Sequence, residues 1–413
     1  MANTTLTIDV IAKEALMQLD NNLVMAKQVY RGLESEFGNA MNGYMAGATV
    51  SMRRPTDFTV RDGATASNQD VVEGTTSITV DKQKGVDFVF SSQELSLNIN
   101  DLSERVIKPA MIQLANQVDS DIHALYKSVP NWVGTPGNTV NSYTDFAKAP
   151  ERMDEYAIPA ADRSAVLSPA DHWGLLGNQT GLYIQDAAKG AYRQGSLGMI
   201  GGVDTFMAQN VPTHTVGVAT GTPLVNGGSQ VSTYASVKDS MTQSLITDGW
   251  TNSTTGIVKA GDVFTIANVY AVNPVTKATL PFLKQFVVTA DANSGATTGP
   301  ATLTIYPAII TSGAFQNVSA APADNAAITV VGTGGTGYRQ NLAFHKNAFA
   351  LAMVPMIAPP GAVDVSRQSY KGTSVRIIPY YTGTSDTSAW RLDILYGTKA
   401  IDPRLATRLS GTA

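Results

Sequence analysis

The chain has 413 residues and a net charge of −4, with 43% hydrophobic and only 15% charged residues. Its length predicts two or three domains, because a single hydrophobic core stops growing at about 250–300 residues. The absence of cysteine excludes disulfides, thiolate zinc sites and cysteine nucleophiles, and the acidic balance argues against tight binding to nucleic-acid phosphates.

The low charge content is the most informative bulk property. Globular chains carry about 25% charged residues, so the 15% found here indicates a surface largely covered by other subunits. A Thr/Ser-rich secreted β-rich surface or adhesion protein is the alternative. Against it, the first residues lack the basic region and apolar core of a signal peptide. No stretch reaches about 18 uninterrupted apolar residues, so no membrane span is predicted.

Two elements precede residue 93. Residues 5–31 predict an amphipathic helix within an N-terminal arm (1–47), which packs on its own subunit or on a neighbour. Residues 48–92 alternate apolar and polar residues between glycines, which predicts a long β-hairpin. The middle of this hairpin, Arg61 to Glu73, is polar and has nothing to bury, so we expect it to reach another chain.

Five basic residues flank the hairpin tip and are the candidate intersubunit contacts: Arg53, Arg54, Arg61, Lys82 and Lys84. A hairpin with no partner in its own domain favours ion pairing with acidic groups on a neighbour over simple solvation. Covalent crosslinking of lysine to asparagine is a further alternative that no sequence feature supports.

The strongest predicted helix lies within residues 93–220. A short piece begins at Asn100 or Asp101, and Pro109 suits the first turn of a longer helix that runs to Lys127. The apolar stripe of this helix recurs at steps of three or four: Ala110, Leu114, Val118, Ile122 and Leu125. The helix is long enough to be the backbone of a domain.

A mixed region follows this helix. Ala165–Pro169 predicts a buried strand entering a helix, with Ser168 as its cap. A cluster of glycines between residues 177 and 202 predicts loops and tight turns.

Residues 221–335 form a predicted inserted domain. They hold nine charged residues in 115, about half of the chain average. Short strands alternate with turn residues, which predicts a small all-β barrel or sandwich. The predicted strands are Val263–Val269, Gln285–Ala290, Ala301–Tyr306 and Ala327–Val331. The glycine-rich segments Gly217–Gly228 and Gly332–Gly337 are predicted to be linkers.

Residues 336–413 return to mixed structure. Phe344–Met353 predicts a short helix or an apolar strand, and Val375–Tyr381 predicts a strand. Ala389–Tyr396 predicts another strand, in which Arg391 and Asp393 make one face polar.

The sequence contains no recognised catalytic or metal-binding motif. Its four histidines are dispersed: His123, His172, His214 and His345. Packing roles are favoured over metal binding for them. Gly332–Gly337 lacks the Lys-Ser/Thr of a phosphate loop, which favours a flexible linker. Asp119 and Asp121 lie on different faces of a helix and are predicted to be solvated or salt-bridged. We predict no catalytic, cofactor-binding or metal-binding residues, and no enzyme activity.

The order of these parts resembles the α+β HK97-like major capsid fold. The hairpin resembles its E-loop and residues 109–127 its spine helix. Residues 93–220 would add the P domain and the first part of the A domain, and residues 336–413 the rest. Particular stretches are similar to the phage P22 coat protein family, across nearly the whole chain: Pro109–Asp119, Gly261–Pro274, Leu283–Val288, Leu303–Pro307 and Trp390–Gly397.

This resemblance implies a major capsid protein that forms the pentamers and hexamers of an icosahedral shell. It implies a procapsid that expands as double-stranded DNA is packaged, enclosed but not specifically bound, and a portal protein. A separate scaffolding protein is expected, because no scaffold-like helical extension precedes residue 48 beyond the short arm. Assembly is expected in the host cytoplasm. The family's inserted domain can carry a long loop across a two-fold axis; here Lys238–Gly256 predicts only a modest polar loop.

Overall fold

The computed structural model describes residues 8–33, 40–41, 44–45, 49–61, 63–66, 68–91, 106–179, 197–359, 365–370 and 372–412. Within these residues helices combine with mixed sheets, which is the α+β class predicted from the sequence. The α-helices are α1 Ile8–Asn22, α2 Lys108–His123, α3 Tyr143–Glu155, α4 Pro169–Gln179 and α5 Tyr234–Val237. The predicted helical piece at Asn100 or Asp101 lies outside the described residues.

The strands of the described residues range from two to 14 residues in length. Those before residue 210 are β1 Ala40–Met41, β2 Tyr44–Met45, β3 Thr49–Arg53, β4 Thr75–Thr79, β5 Lys82–Ser91, β6 Asn131–Val133, β7 Arg163–Leu167, β8 Met199–Ile200 and β9 Val203–Met207. Those after it are β10 Thr213–Thr215, β11 Gly221–Val225, β12 Gln243–Trp250, β13 Val263–Val272, β14 Thr279–Val288, β15 Ala301–Tyr306, β16 Ile328–Val330, β17 Gly337–Arg339, β18 Asn341–His345, β19 Phe349–Met353, β20 Ser366–Tyr370, β21 Thr373–Thr382, β22 Thr387–Ala400 and β23 Ala406–Leu409.

The chain divides into two compact units, each built from segments that are distant in sequence. Unit 1 comprises Met1–Ser51, Ser77–Ile122 and Phe349–Lys399, and unit 2 comprises Met52–Thr76, His123–Ala348 and Ala400–Ala413. The predicted inserted domain lies within unit 2. The domain boundaries proposed from the sequence stay predictions.

In unit 1 the N-terminal helix packs on its own subunit. Helix α1 lies against β20 and β21 and buries the apolar face predicted for it, including Ala15 and Leu19. The Ser366 hydroxyl donates to the Asp9 carboxylate at 2.6 Å. The helix ends at Asn22, nine residues before the predicted end, and the predicted residues 5–7 lie outside the described ones.

Asp119 on α2 explains this early end. Its carboxylate accepts the backbone N–H groups of Val24 (2.7 Å) and Ala26 (3.0 Å), so the chain leaves α1 and turns onto α2. The prediction that Asp119 is solvated or salt-bridged was wrong, because the residue is 2% exposed and no cation of the described residues lies within 4.0 Å of its carboxylate. Asp121 does form the predicted ion pair, with Lys82 at 3.2 Å, and also accepts from the Tyr396 hydroxyl at 2.8 Å.

The second half of the predicted hairpin is a strand of the unit 1 sheet. Strand β5 pairs antiparallel with β22 through ten residue pairs, from Lys82↔Tyr396 to Ser91↔Thr387. Strand β21 pairs with β22 as well, so β22 lies inside the sheet. The expectation of a long hairpin without a partner was therefore wrong for β5. In the described part of the predicted hairpin, β3 and β4 pair with each other as a separate two-stranded sheet.

The polar face predicted for β22 is buried at Asp393 and exposed at Arg391. Asp393 is buried, and its carboxylate pairs with Arg376 at 2.6 Å and with Arg391 at 2.8 Å. A Cβ at Gly85 of β5 would lie 2.5 Å from the Asp393 carboxylate. Glycine at this position leaves room for the Asp393 carboxylate, which is buried in its pair with Arg376.

One sheet of unit 2 has six strands in the order β6-β23-β18-β7-β9-β8. Helix α3 contributes Phe146 and Met153 to the core against it. Strand β7 leads into α4 as predicted, and Ser168 is the cap, since its hydroxyl accepts from the Asp171 N–H at 3.3 Å. The C-terminal strand β23 is also buried there, although the last residues are polar.

The second sheet of unit 2 has the order β11-β12-β15-β14-β13-β16 and includes the strands predicted for the inserted domain. Two expectations about the segments in and beside this sheet were wrong. Segment 238–256 contains β12 with Leu245 and Trp250 buried, rather than a polar loop. Segment 217–228 contains β11, rather than a linker.

The glycine-rich segment 332–337 is packed, so its prediction as a flexible linker was also wrong. The Gly335 N–H donates to the Val216 carbonyl at 3.1 Å. A Cβ at Gly334 would lie 2.1 Å from the Val218 carbonyl oxygen. The close approach of two backbone segments therefore explains the glycines of this segment.

Candidate intersubunit surface

The candidate surface is the ribbon, defined as Met52–Thr76 of unit 2, which continues from β3 and returns into β4. Its base is closed by the Arg54 N–H, which donates to the Gly74 carbonyl at 2.8 Å. Further from the base, the Gln69 side chain bonds the backbone of Thr59 as a neighbouring strand would. Its amide oxygen accepts from the Thr59 N–H at 2.9 Å, and its amide nitrogen donates to the Thr59 carbonyl at 2.6 Å.

The base of the ribbon is anchored inside unit 2. The Thr75 N–H and hydroxyl both donate to Asp239, at 2.8 and 3.0 Å, and the N–H bond lowers the pKa of that carboxyl. A Cβ at Gly74 would lie 2.2 Å from the Lys238 carbonyl oxygen. This contact with residues 238–239 was not predicted, because its partners are more than 160 residues apart in sequence.

Three of the five predicted contact residues lie on the ribbon. Arg53 is paired with Glu73 at 3.0 Å, with 81% of its side chain exposed. The Arg61 guanidinium donates to the carbonyl groups of Gly63 and Thr65, which holds the turn of the ribbon. Arg54 is half-buried, and its Nε has no hydrogen-bond partner among the described residues.

The other two predicted residues lie on β5 in unit 1. Lys82 is committed within the subunit, because its ammonium contacts Asp121 at 3.2 Å and the Thr398 hydroxyl at 3.1 Å. Lys84 is exposed, opposite Ile394 of β22, and no carboxylate of the described residues lies within 4.0 Å of it. Lys82 is therefore less available to a neighbour than Lys84.

The ribbon also exposes apolar side chains that the sequence analysis did not select. Val60 is 97% exposed, Val71 64% and Phe58 57%. Exposed apolar residues clustered in one segment are typical of interaction sites, because a partner that covers them removes apolar surface from water. The alternation in Asp57-Phe58-Thr59-Val60 was the signal available in the sequence.

No helix in the described part of the chain has the length and apolarity needed to cross a membrane. Within the same residues, His, Asp and Glu side chains do not gather in threes as a metal site would require.

Comparison with known proteins identifies relatives along the full chain. The family model described as P22 coat protein, gene protein 5, matches residues 1–411. A major capsid protein from Acyrthosiphon pisum secondary endosymbiont phage 1 is 23% identical to this chain. The match covers 97% of each of the two proteins.

Solved structures from phages are also similar. A structure from Mycobacterium phage Che8 is 13% identical with a TM-score of 0.48, covering 94% of this chain and 90% of that one. The capsid of Ralstonia phage GP4 is 11% identical with a TM-score of 0.44, covering 94% of this chain and 88% of that one.

Proposed function

The chain belongs to the P22 coat protein family, and on this premise we propose that it assembles through a scaffold-assisted procapsid that expands as DNA is packaged. It is a major capsid protein of a phage, a structural component of the virion that assembles with itself into an icosahedral shell. The HK97-like α+β fold agrees with this role. The match over residues 1–411 carries the conclusion and leaves the secreted surface protein without support.

The proposal includes partners beyond the chain itself. They are a separate scaffolding protein, a portal protein and packaged double-stranded DNA, and assembly takes place in the host cytoplasm. The net charge of −4 supports a shell that encloses DNA without gripping it, because phosphate binding generally uses a basic surface. We propose a purely structural role without catalysis, in line with the family.

Within the shell, the ribbon is the proposed contact with a neighbouring subunit. Its exposed apolar residues, Phe58, Val60 and Val71, would supply the buried area. Arg53 and Arg61 would supply ion pairs with acidic groups. Many such contacts, each weak, stabilise a closed shell because every subunit repeats them under symmetry.

A pair of matched variants tests the ribbon contact. Val60→Asp and Val231→Asp each place a charge at an exposed valine of unit 2, one on the ribbon and one between β11 and α5. We expect both variants to keep wild-type unfolding midpoints. Co-expressed with the cognate scaffold, only Val60→Asp should lose closed particles, by at least tenfold in sedimentation and electron microscopy.

Two outcomes would contradict the proposal at different levels. Normal shells from Val60→Asp, or from a deletion of Arg61–Glu73, would remove the ribbon contact but leave the shell role intact. A wild-type chain that stays monomeric with its scaffold under every assembly condition would contradict scaffold-assisted assembly.

A further inference from the structure

Unit 2 contains a cavity of about 220 Å³ beside the β13–β14 hairpin. Its apolar wall includes Tyr156, Phe315 and Leu405, and its cationic wall includes Lys277, Lys284 and Arg404. An engineered apolar cavity of about 150 Å³ holds benzene in another protein. The volume here is sufficient for a small organic molecule.

Lys284 is the unusual member of this cavity. It lies on β14 and is only 5% exposed. Its ammonium is 3.5 Å from the Tyr156 hydroxyl and 4.6 Å from the centre of that ring. No carboxylate of the described residues comes within 4.0 Å of it. A buried ammonium without a counter-ion loses its hydration without compensation, so such groups are normally paired.

The nearby carboxylates are engaged elsewhere or too distant. Asp402 is held by Arg404, with contacts of 2.7 and 2.9 Å. Glu155, next to Tyr156, pairs with Arg152 at 3.4 Å. Asp57 of the ribbon lines the cavity but forms no ion pair within 4.0 Å there.

When Lys284 is protonated, the described residues that line the cavity carry a surplus of one positive charge. Lys277, Lys284 and Arg404 contribute three positive charges, and Asp57 and Asp402 contribute two negative charges. Burial, together with the cations Arg404 and Arg152, lowers the pKa of Lys284 to about 7. A bound anion would relieve this conflict by restoring the charged form of the lysine.

We propose that this cavity is a binding site for a carboxylate, with the Lys284 ammonium as its main donor. Lys277 contributes a second positive charge, and the hydrocarbon part of the ligand lies against Tyr156 and Phe315. The singly charged group matches the surplus charge of the walls, and the apolar wall favours an organic acid over an inorganic anion. The carboxylate comes either from a free small molecule or from an acidic side chain of a second copy of this chain.

Benzoate and benzamide distinguish charge recognition from simple cavity filling. They have similar shapes, and only benzoate is charged. We expect the purified full-length chain to bind benzoate by isothermal titration calorimetry and to bind benzamide at least tenfold more weakly. At pH 8 benzoate binding should take up close to one proton, measured from its dependence on buffer ionisation enthalpy, because Lys284 with a pKa of about 7 is mostly neutral there.

Variants assign this binding to the cavity. Lys284→Met should reduce benzoate affinity at least tenfold and abolish the proton uptake, whereas Lys346→Met, at an exposed lysine of unit 2, should change neither. If Lys284→Met does not fold, Lys277→Met provides the test through a several-fold loss of affinity. Equal binding of both compounds, unchanged binding in Lys284→Met, or no benzoate binding to the wild type would each overturn the proposal.

Assembled particles distinguish the two sources of the carboxylate. If the site serves a free molecule, shells should bind benzoate as the free subunit does. If a neighbour supplies the carboxylate, shells should fail to bind benzoate that the subunit binds. The measurements on the free subunit do not depend on assembly, so this site and the shell role can fail separately.

Discussion

His123 is fully buried at the end of α2, and neither ring nitrogen has a hydrogen-bond partner among the described residues. Burial lowers its pKa from the ordinary 6.5 to about 4, because the charged imidazolium would lose its hydration. The folded subunit therefore keeps His123 neutral at a pH where the unfolded chain protonates it. The dispersed spacing of the histidines predicted a packing role for His123, and the surroundings of its ring nitrogens depend on tertiary contacts that spacing does not specify.

This difference predicts a pH dependence of stability. As pH falls from about 6.5 towards 4, the unfolded chain binds a proton that the folded chain does not, so His123 lowers the unfolding free energy by up to about 1.4 kcal/mol per pH unit. His123→Leu should remove this contribution. At pH 7 it should leave stability equal or about 1 kcal/mol higher, because unsatisfied buried polar atoms are lost.

Urea unfolding at pH 7 and pH 5 measures the effect. Wild type should lose more stability than His123→Leu between the two values. His345, whose pKa burial also lowers, contributes equally to both proteins, so the difference isolates His123. Identical losses in the two proteins would show that His123 does not stay neutral in the folded state.

The buried carboxylates mark the limit of prediction at the residue scale. Local spacing correctly separated the faces of Asp119 and Asp121, but their partners come from other segments: Val24 lies 95 residues from Asp119. Asp393 likewise was predicted on a polar face from a period-two pattern, whereas Arg376 and Gly85 provide the environment that buries it. Sequence periodicity indicates which face a residue lies on, and tertiary pairing decides whether that face meets water.

At the scale of elements, the ribbon depends on Gly74. Because a Cβ there would lie 2.2 Å from the Lys238 backbone oxygen, Gly74→Ala must displace the base of the ribbon from residues 238–239. We expect cleavage between Arg54 and Glu73 to become several-fold faster in limited proteolysis, together with a loss of shell assembly. Asp239→Ala should have a smaller effect, since it removes two solvent-exposed hydrogen bonds without forcing the backbone apart.

Gly177→Ala is the matched control. Gly177 lies in α4, and a Cβ there would meet none of the described residues within 4 Å. Alanine favours a helix over glycine by about 1 kcal/mol, so this variant should be neutral or slightly stabilising, with unchanged cleavage of the ribbon. Equal cleavage of Gly74→Ala and wild type would contradict the proposed anchor.

Elements with regular apolar patterns were predictable, and their partners were not. Local sequence was sufficient to predict strands β13, β15 and β22, helices α2 and α4, and the Ser168 cap. The pairing of β5 with β22 joins residues about 300 positions apart, and no local pattern specifies it. Glycine-rich segments 217–228 and 332–337 were misjudged because glycine serves close backbone packing as well as flexibility.

For the whole molecule, the proposed assembly explains both the low charge content and the exposed apolar residues of the ribbon, because neighbouring subunits would cover these surfaces. A subunit whose surface is mostly covered in a shell needs fewer charges for solubility than a free monomer. The sequence resemblance identified the family correctly, because the family match covers residues 1–411. The proposed contact residues, by contrast, differ in how strongly they are already bound to groups of their own subunit.

Two basic residues should therefore separate assembly from subunit stability. Arg53 is 81% exposed in its pair with Glu73, and such surface pairs contribute about 0–1 kcal/mol, so Arg53→Gln should leave the unfolding midpoint unchanged. If Arg53 meets an acidic group of a neighbour, this variant should raise the concentration needed for assembly. A loss of about 1.4 kcal/mol per subunit raises it tenfold.

Lys82→Gln should show the reverse pattern. Lys82 contacts Asp121 and Thr398 within unit 1, so its loss should lower the unfolding midpoint and leave the assembly of folded subunits unchanged. Salt provides the deciding measurement. At about 1 M salt the screening length falls to about 3 Å, so the assembly thresholds of wild type and Arg53→Gln should converge. A defect of Arg53→Gln that persists at high salt would show that its effect on assembly is not an intersubunit ion pair.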